Sequence, residues 1–165
     1  MANSSSIAQM RVDELIATIG DKGLAAGAGA AGAVTLALAA ACAAKAATIS
    51  LRHQPANDTL RRSLDAVERI GRFALTGADR DAEAFATFIR ENTLGAVVDL
   101  LREGDRIIHL IGVLSEAVDK VAPQVEPAMK GDVVAARALL DAARKIQLTN
   151  SAEAQTEKAK LTPTS

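Results

Sequence analysis

Two aspartates are candidate acids or bases, one because it interrupts an apolar stripe and one because it opens a helix. Asp81 belongs to a row (Leu60, Leu64, Val67, Gly71, Ala74, Ala78, Asp81, Phe85, Phe88) whose members alternate by three and four. That is the spacing of a helix face turned into a bundle, and every other member is apolar or small. A carboxylate in such a slot loses its water, which disfavours the charged form and raises the pKa toward values useful for proton transfer. A plainer reading stands beside this one: the stripe has drifted to the surface, or Asp81 is held in an ion pair of the Asp81–Arg137 kind. Asp132 directly precedes "VVAARALL". That is the place of a helix N-cap, whose side chain accepts from first-turn amides. A cap aspartate can still face a ligand if its helix end lines a cleft.

The third feature is "GAGAAGAVTLALAAACAAK", Gly27 to Lys45, uncharged until its final lysine. Glycines at a helix entry allow close backbone approach, and a helix N-terminus attracts anions. No Gly-Lys-Ser/Thr follows and no strand pattern precedes, which excludes a phosphate loop and a dinucleotide fold. The commoner use of such residues is tight packing: Gly29, Ala33, Ala37 and Ala41 recur every four and make a smooth side. Lys45 either snorkels or faces a polar cleft and binds an anion. His53 and His109 form no HxxxH or ExxH pair, so no metal site is expected. Cys42 reads as a small core residue.

These residues need elements to hold them, and helical periodicity runs through the chain. Five helices are expected, over about 11–19, 29–51, 58–90, 94–121 and 132–148. Val12, Leu15, Ile16 and Ile19 give the first its apolar face, and Gly20 and Gly23 end it. Pro55 and Asn57 turn the chain, with Asn57 or Asp58 capping the third helix, in which Gly77 marks a possible bend. Leu94, Val97, Leu101, Ile108, Ile111 and Val118 share a face of the fourth, and Gly104 interrupts it without changing register. "APQVEPAMKG" is a proline-bearing connector. Residues 1–10 and the polar tail 150–165 read as disordered, leaving 11–149 as a single helical domain. The fold class is all-α, an antiparallel helical bundle around a buried Ala/Gly-rich helix.

Composition narrows the function. Aromatic residues make up 2% of the 165-residue chain, with no Trp or Tyr, and the net charge is −1, so neither base stacking nor a basic field serves nucleic acid. The single cysteine rules out an internal disulfide framework and fits a reducing cytoplasm. The opening "MANSSSIAQMRVDEL" has no basic and apolar pattern of a secretory signal. Leu24 to Ala44 is long enough to cross a bilayer. Its Ala and Gly are only weakly apolar, it has no aromatic belt, and its neighbours are amphipathic, so it is read as a core helix rather than a membrane span.

Taken in order, these segments resemble the cyclodeaminase/cyclohydrolase family of folate enzymes. That family includes the cyclodeaminase half of formiminotransferase-cyclodeaminase and bacterial methenyltetrahydrofolate cyclohydrolases. Its pattern has a Pro-x-Pro-Gly-Gly-Gly-Ser turn entering an Ala/Gly-rich helix that ends in Leu-Thr. "GAGAAGAVTLALAAACAAKAATIS" fits it without a gap, "DAEAF" (Asp81 to Phe85) matches the acidic signature, and "GDVVAARALLDAARKIQLTN" resembles the Ser-Asp helix, with Asn150 at the family's Asn. The chain departs from the pattern at Leu24 and Ala26 (prolines), Ala28 (glycine), Ala30 (serine) and Gly131 (serine), and the stretch between Phe85 and Asp132 is shorter.

The resemblance implies a tetrahydrofolate derivative as substrate, a homodimer or larger homo-oligomer, and no metal or redox cofactor. Hydrolysis at the one-carbon bridge of such a folate needs water to attack a cationic carbon and protons to move at the tetrahedral intermediate. Cyclodeamination needs ring closure and ammonia loss. A buried carboxylate suits both. Asp81 would then be the acid–base or cation-stabilising group, and Asp132 would orient it or contact the pterin. Gly27 and Gly29 would let the flat ring lie on backbone, with Ala30 and Phe85 beside it. Lys45 as a partner of the glutamate tail has no support in the family pattern. The departures motivate an alternative: a non-catalytic helical subunit that binds a ligand or acts through a protein partner.

Overall fold

The computed structural model describes residues 6–22 and 26–162. Gly23 and Leu24, named above as helix stop and proline position, lie outside the described residues. Five α-helices follow one another: α1 Val12–Gly20, α2 Ala28–His53, α3 Asp58–Glu91, α4 Leu94–Val121 and α5 Lys130–Leu161. The fold is all-α. Helices α2 to α5 form an up-down-up-down bundle in which each packs against its sequence neighbour and α5 closes back onto α2. Cross-contacts fix the antiparallel sense. Gly29 meets Asp81 and Gly71 meets Ala40 across α2 and α3. Lys45 meets Asp132 near one end of α2 and α5, and Gly32 meets Gln147 near the other.

Helix α2 is the spine because it can be approached closely from three sides. Ala30, Ala33, Leu36, Ala39, Ala43 and Ala46 are buried within one continuous core that includes Val67, Ile70, Ala74, Ile111 and Leu114. The every-four row of small residues does not stay inside, however. Ala37 is half-buried and Ala41 exposed. Each step of four residues advances about 40° around a helix, so such a row rotates off the core within a few turns. The buried row is instead Gly29, Ala33, Leu36, Ala40, Ala43 and Ala47, which alternates four and three. This helix is long and apolar enough to cross a membrane by length and composition alone. Its apolar inner face is covered by α3, α4 and α5.

The turns follow local chemistry. Asn57 caps α3, its side chain accepting from the Leu60 amide at 2.9 Å, and its Nδ2 donates to Gln124 in the α4–α5 connector at 2.8 Å. Asn92 ends α3 in the left-handed conformation (φ 46°), and Thr93 caps α4. Gly77 does not break α3, which is assigned helix throughout. A Cβ there would come within 2.5 Å of Ile107 Cδ1, so this glycine admits a side chain of α4.

Toward both ends, the described residues 6–20 and 150–162 differ from expectation. Helix α1 buries no residue, with Val12 73% and Ile16 66% exposed, and only Leu15 leans on the core. The segment before it is anchored by a 3-10 turn, Ile7–Gln9. Ile7 is buried there, its amide donates to Asp79 Oδ1 at 2.5 Å, and the Ser6 hydroxyl donates to Oδ2 at 2.7 Å. At the other end α5 does not stop near Leu148 but continues to Leu161. Ala154 and Leu161 close a second small cluster with Phe88, Val97 and Leu101. One alanine and one leucine at the right register hold a stretch whose composition is otherwise polar.

Candidate active site

Asp81 sits on the inward face of α3, 5% exposed, opposite the first turn of α2. The sequence around it made that placement inevitable once α3 and α2 docked antiparallel, since its stripe also carries Ala74, Ala78 and Phe88. Two features of α2 receive it. A Cβ at Gly29 would overlap both carboxylate oxygens, so only glycine leaves room. Ala30 is the third residue of α2, where the backbone N–H has no partner within the helix. Gly27, the N-cap, has no side chain to supply one. The Asp81 carboxylate of α3 lies against this first turn, and the Ala30 amide acts on it by lowering its pKa.

Electrostatics at this point favour the neutral acid. Burial first, and the negative charge of Glu103 second, push the Asp81 pKa up to about 6 against the opposing effect of the Ala30 amide. Glu103 is itself buried on α4 and held by two arginines, Arg80 Nε at 2.9 Å and the Arg106 guanidinium. The two guanidiniums pair with Glu103, whose charge is still felt at Asp81. No Asp81–Arg137 ion pair forms. Arg137 pairs with Asp119 at 2.9 Å.

Asp81 lies in the wall of a cleft of about 610 Å³ between the first turn of α2 and the ends of α3 and α5. Gly27, Gly29, Phe85, Phe88 and Ile89 form one side of it, and Gln147, Asn150 and Ser151 of α5 another. Such a volume suits a small organic ligand. Asp81, Gly27, Gly29 and Phe85 are thus brought together. Ala30 is fully buried behind them and contributes its amide.

Asp132 and Lys45 are not part of this cleft. They meet each other, Nζ to Oδ1 at 2.9 Å, on the outside of the bundle. Sixteen residues of α2 separate Lys45 from Gly29, roughly 24 Å at 1.5 Å per residue. Nor is Asp132 an N-cap. The helix begins two residues earlier at Lys130, and Asp132 is an acidic residue of its first turn, where the helix dipole favours it. Cys42 is half-buried against the core. Among the described residues no three His, Cys, Asp or Glu side chains are grouped to hold a metal ion.

Sequence reasoning missed Glu103, Gln147 and Ser151. The signal for Gln147 was present: Val133, Ala136, Leu140, Ala143, Gln147 and Ala154 are the buried residues of α5, and Gln147 is a polar residue in that stripe, as Asp81 is in its own. Gly104 likewise lies on the buried stripe of α4, where a Cβ would stand 3.2 Å from Ser151 Oγ. Glu103 flanks that stripe, and nothing in its spacing marks it.

Comparison with known proteins places this arrangement. No curated protein sequence matches the chain. Among solved structures, the crystal structure of formiminotetrahydrofolate cyclodeaminase from Thermotoga maritima matches with a TM-score of 0.83. The match covers 93% of this chain and 85% of that one at 18% identity, which establishes a shared fold. The family model for formiminotransferase-cyclodeaminase matches residues 11–97. That span holds α1, α2, α3 and the start of α4, and with them Gly27, Gly29, Asp81 and Phe85. With more than half its length matched, the chain belongs to the formiminotransferase-cyclodeaminase family.

Proposed function

We propose that the cleft binds a one-carbon-loaded tetrahydrofolate and that Asp81 is its catalytic residue. The observation that carries this is a carboxylate, buried and poised near pH 6, in the wall of a cleft built on the first turn of α2. The apolar side chains of Phe85, Phe88 and Ile89 suit the faces of a flat ring, and Gly27 and Gly29 leave backbone open to its edge. In its charged form Asp81 stabilises a cationic one-carbon bridge and accepts a proton from the attacking group, which is water in hydrolysis and the folate's own N–H in ring closure. In its neutral form it returns that proton to the departing nitrogen. Hydrolysis or deamination of a C–N bond then uses the same group in both directions of proton flow. No step is assigned to Asp132, which is remote.

The test follows methenyltetrahydrofolate and formiminotetrahydrofolate by absorbance with purified protein. Turnover above buffer that Asp81→Asn reduces at least a hundredfold supports the reading. A rate equal to buffer with both substrates ends it as a description of an enzyme. A second reading, a ligand-binding relative without turnover, is favoured by a cleft lining that holds no His, Lys or Arg among the described residues. It predicts calorimetric folate binding that Asp81→Asn changes, with no product formed. In either case the chain is read as a cytoplasmic protein that acts as a homodimer. The open apolar stripe of α1 and the 53%-exposed Leu38 of α2 support the pairing, and light scattering after gel filtration tests it.

A further inference from the structure

The α5 wall of the cleft carries two polar atoms without a hydrogen-bond partner among the described residues. Gln147 is fully buried. Its Nε2 donates to the Gly29 carbonyl at 2.8 Å, and this fixes which way the amide points, because the reverse orientation would set oxygen against oxygen. The Gln147 Oε1 has no hydrogen-bond partner among the described residues, and neither has Ser151 Oγ, one helical turn further on. Both residues line the cleft together with Asp81. Buried polar atoms are ordinarily paired, so two neighbouring orphans in a cleft wall need another explanation.

The helix facing them is shaped to keep them there. A Cβ at Gly32 would lie 2.8 Å from Gln147 Nε2, as a Cβ at Gly29 would overlap Asp81. Two glycines in one turn of α2 therefore make room for two polar side chains. An apolar residue at position 147 would continue the stripe of α5 without leaving an orphan acceptor. The remaining chemistry of the lining points the same way. Asp81, Glu153 and Glu157 accept hydrogen bonds when charged, Gln147 Oε1 only accepts, Asn92 and Asn150 both donate and accept, and among the described residues no lysine, arginine or histidine lines the cleft. Acceptors outnumber donors in these walls, so a fitting ligand brings N–H donors.

We propose that Gln147 and Ser151 are the specificity-determining pair of this cleft, accepting hydrogen bonds from the N–H edge of a flat nitrogen heterocycle seated on the first turn of α2. This rests on the folate reading above, because the amino-pyrimidinone edge of a pterin presents such donors. It adds that recognition comes from α5, outside the span matched by the family model.

The experiment compares two probes, 2-amino-4-oxopteridine and lumazine, in which a carbonyl replaces the amino group. Their own fluorescence reports binding to the full chain, which has no Trp or Tyr to interfere. The wild type is expected to bind the aminopteridine at least tenfold more tightly than lumazine. Gln147→Met, close in length and volume, reduces that preference to threefold or less. Ser151→Ala, a smaller change that leaves the Gln147–Gly29 hydrogen bond intact, weakens the aminopteridine about fivefold. Equal binding of both probes by the wild type, or an unchanged preference in both variants, overturns the proposal while folate binding stands. If the wild type binds neither probe nor methenyltetrahydrofolate, both this proposal and the folate reading fall.

Discussion

Replacing Asp81 by asparagine should stabilise the protein while removing its chemistry, and the gain should depend on pH. The carboxyl is raised from 3.8 to about 6 in the folded chain. A native state that holds a proton more tightly than the unfolded chain is most favoured while that proton is present. The contribution of the neutral acid is therefore complete below pH 3.8 and is lost as pH rises through about 6. At 1.36 kcal/mol per unit, the loss amounts to about 3 kcal/mol above pH 6.5. Asparagine keeps the shape of the neutral acid, still accepts from the Ala30 amide, and cannot ionise. Asp81→Asn and wild type should thus unfold alike at pH 4 and differ by about 3 kcal/mol at pH 7.5, the variant being the more stable. In thermal melts this is about 6–12 °C for a chain of this size. Urea titrations at half-unit pH intervals give the whole difference curve. A difference that is flat across pH, or a variant less stable at neutral pH, refutes the account of Asp81 as a desolvated acid.

Three further outcomes test other parts of the structure. Gly29→Ala forces a Cβ onto the Asp81 carboxylate and should destabilise by about 1–3 kcal/mol in denaturant. Gly112→Ala, a helical position with nothing near its Cβ, should instead stabilise by about 0.5–1 kcal/mol. Asp132→Asn breaks the exposed pair with Lys45 and should change stability by no more than about 1 kcal/mol, with ligand titrations of the cleft unaltered. Truncation after Asn150 removes Ala154 and Leu161 from the cluster around Phe88 and Val97. It should lower the urea midpoint by the equivalent of about 2 kcal/mol and weaken any ligand held in the cleft.

Much of the fold was legible because periodicity is a local property. Helices α3 and α4 start and stop within a residue or so of the positions their caps and stripes predict, and Asp81 is buried where its stripe places it. The candidate site was legible where a residue broke its own pattern, as Asp81 does, while Gly29 was marked only by its place at a helix entry. It was not legible where the relevant quantity is distance between helices. Asp132 has the residue type and local setting of a site residue, yet antiparallel packing of α2 and α5 sends it to the end opposite Asp81. The helical tail was missed for a related reason. Its residues form a helix only because Phe88, Val97 and Leu101 offer Ala154 a place to pack. Helix α1 shows the reverse: Val12, Ile16 and Ile19 have the spacing of a buried face, and no neighbour among the described residues covers them.

The seat of Asp81 against the start of α2 ties the rhythm of the cleft to the rhythm of a helix end. The Asp81 carboxylate rests on the first turn of α2, where only a glycine leaves it room and where the Ala30 amide favours its charged form. Fraying of that turn and movement of the carboxylate are therefore coupled. Amide exchange at Ala30 is then a clock for the cleft: protection there tracks the charge and engagement of Asp81, with no chromophore or substrate required.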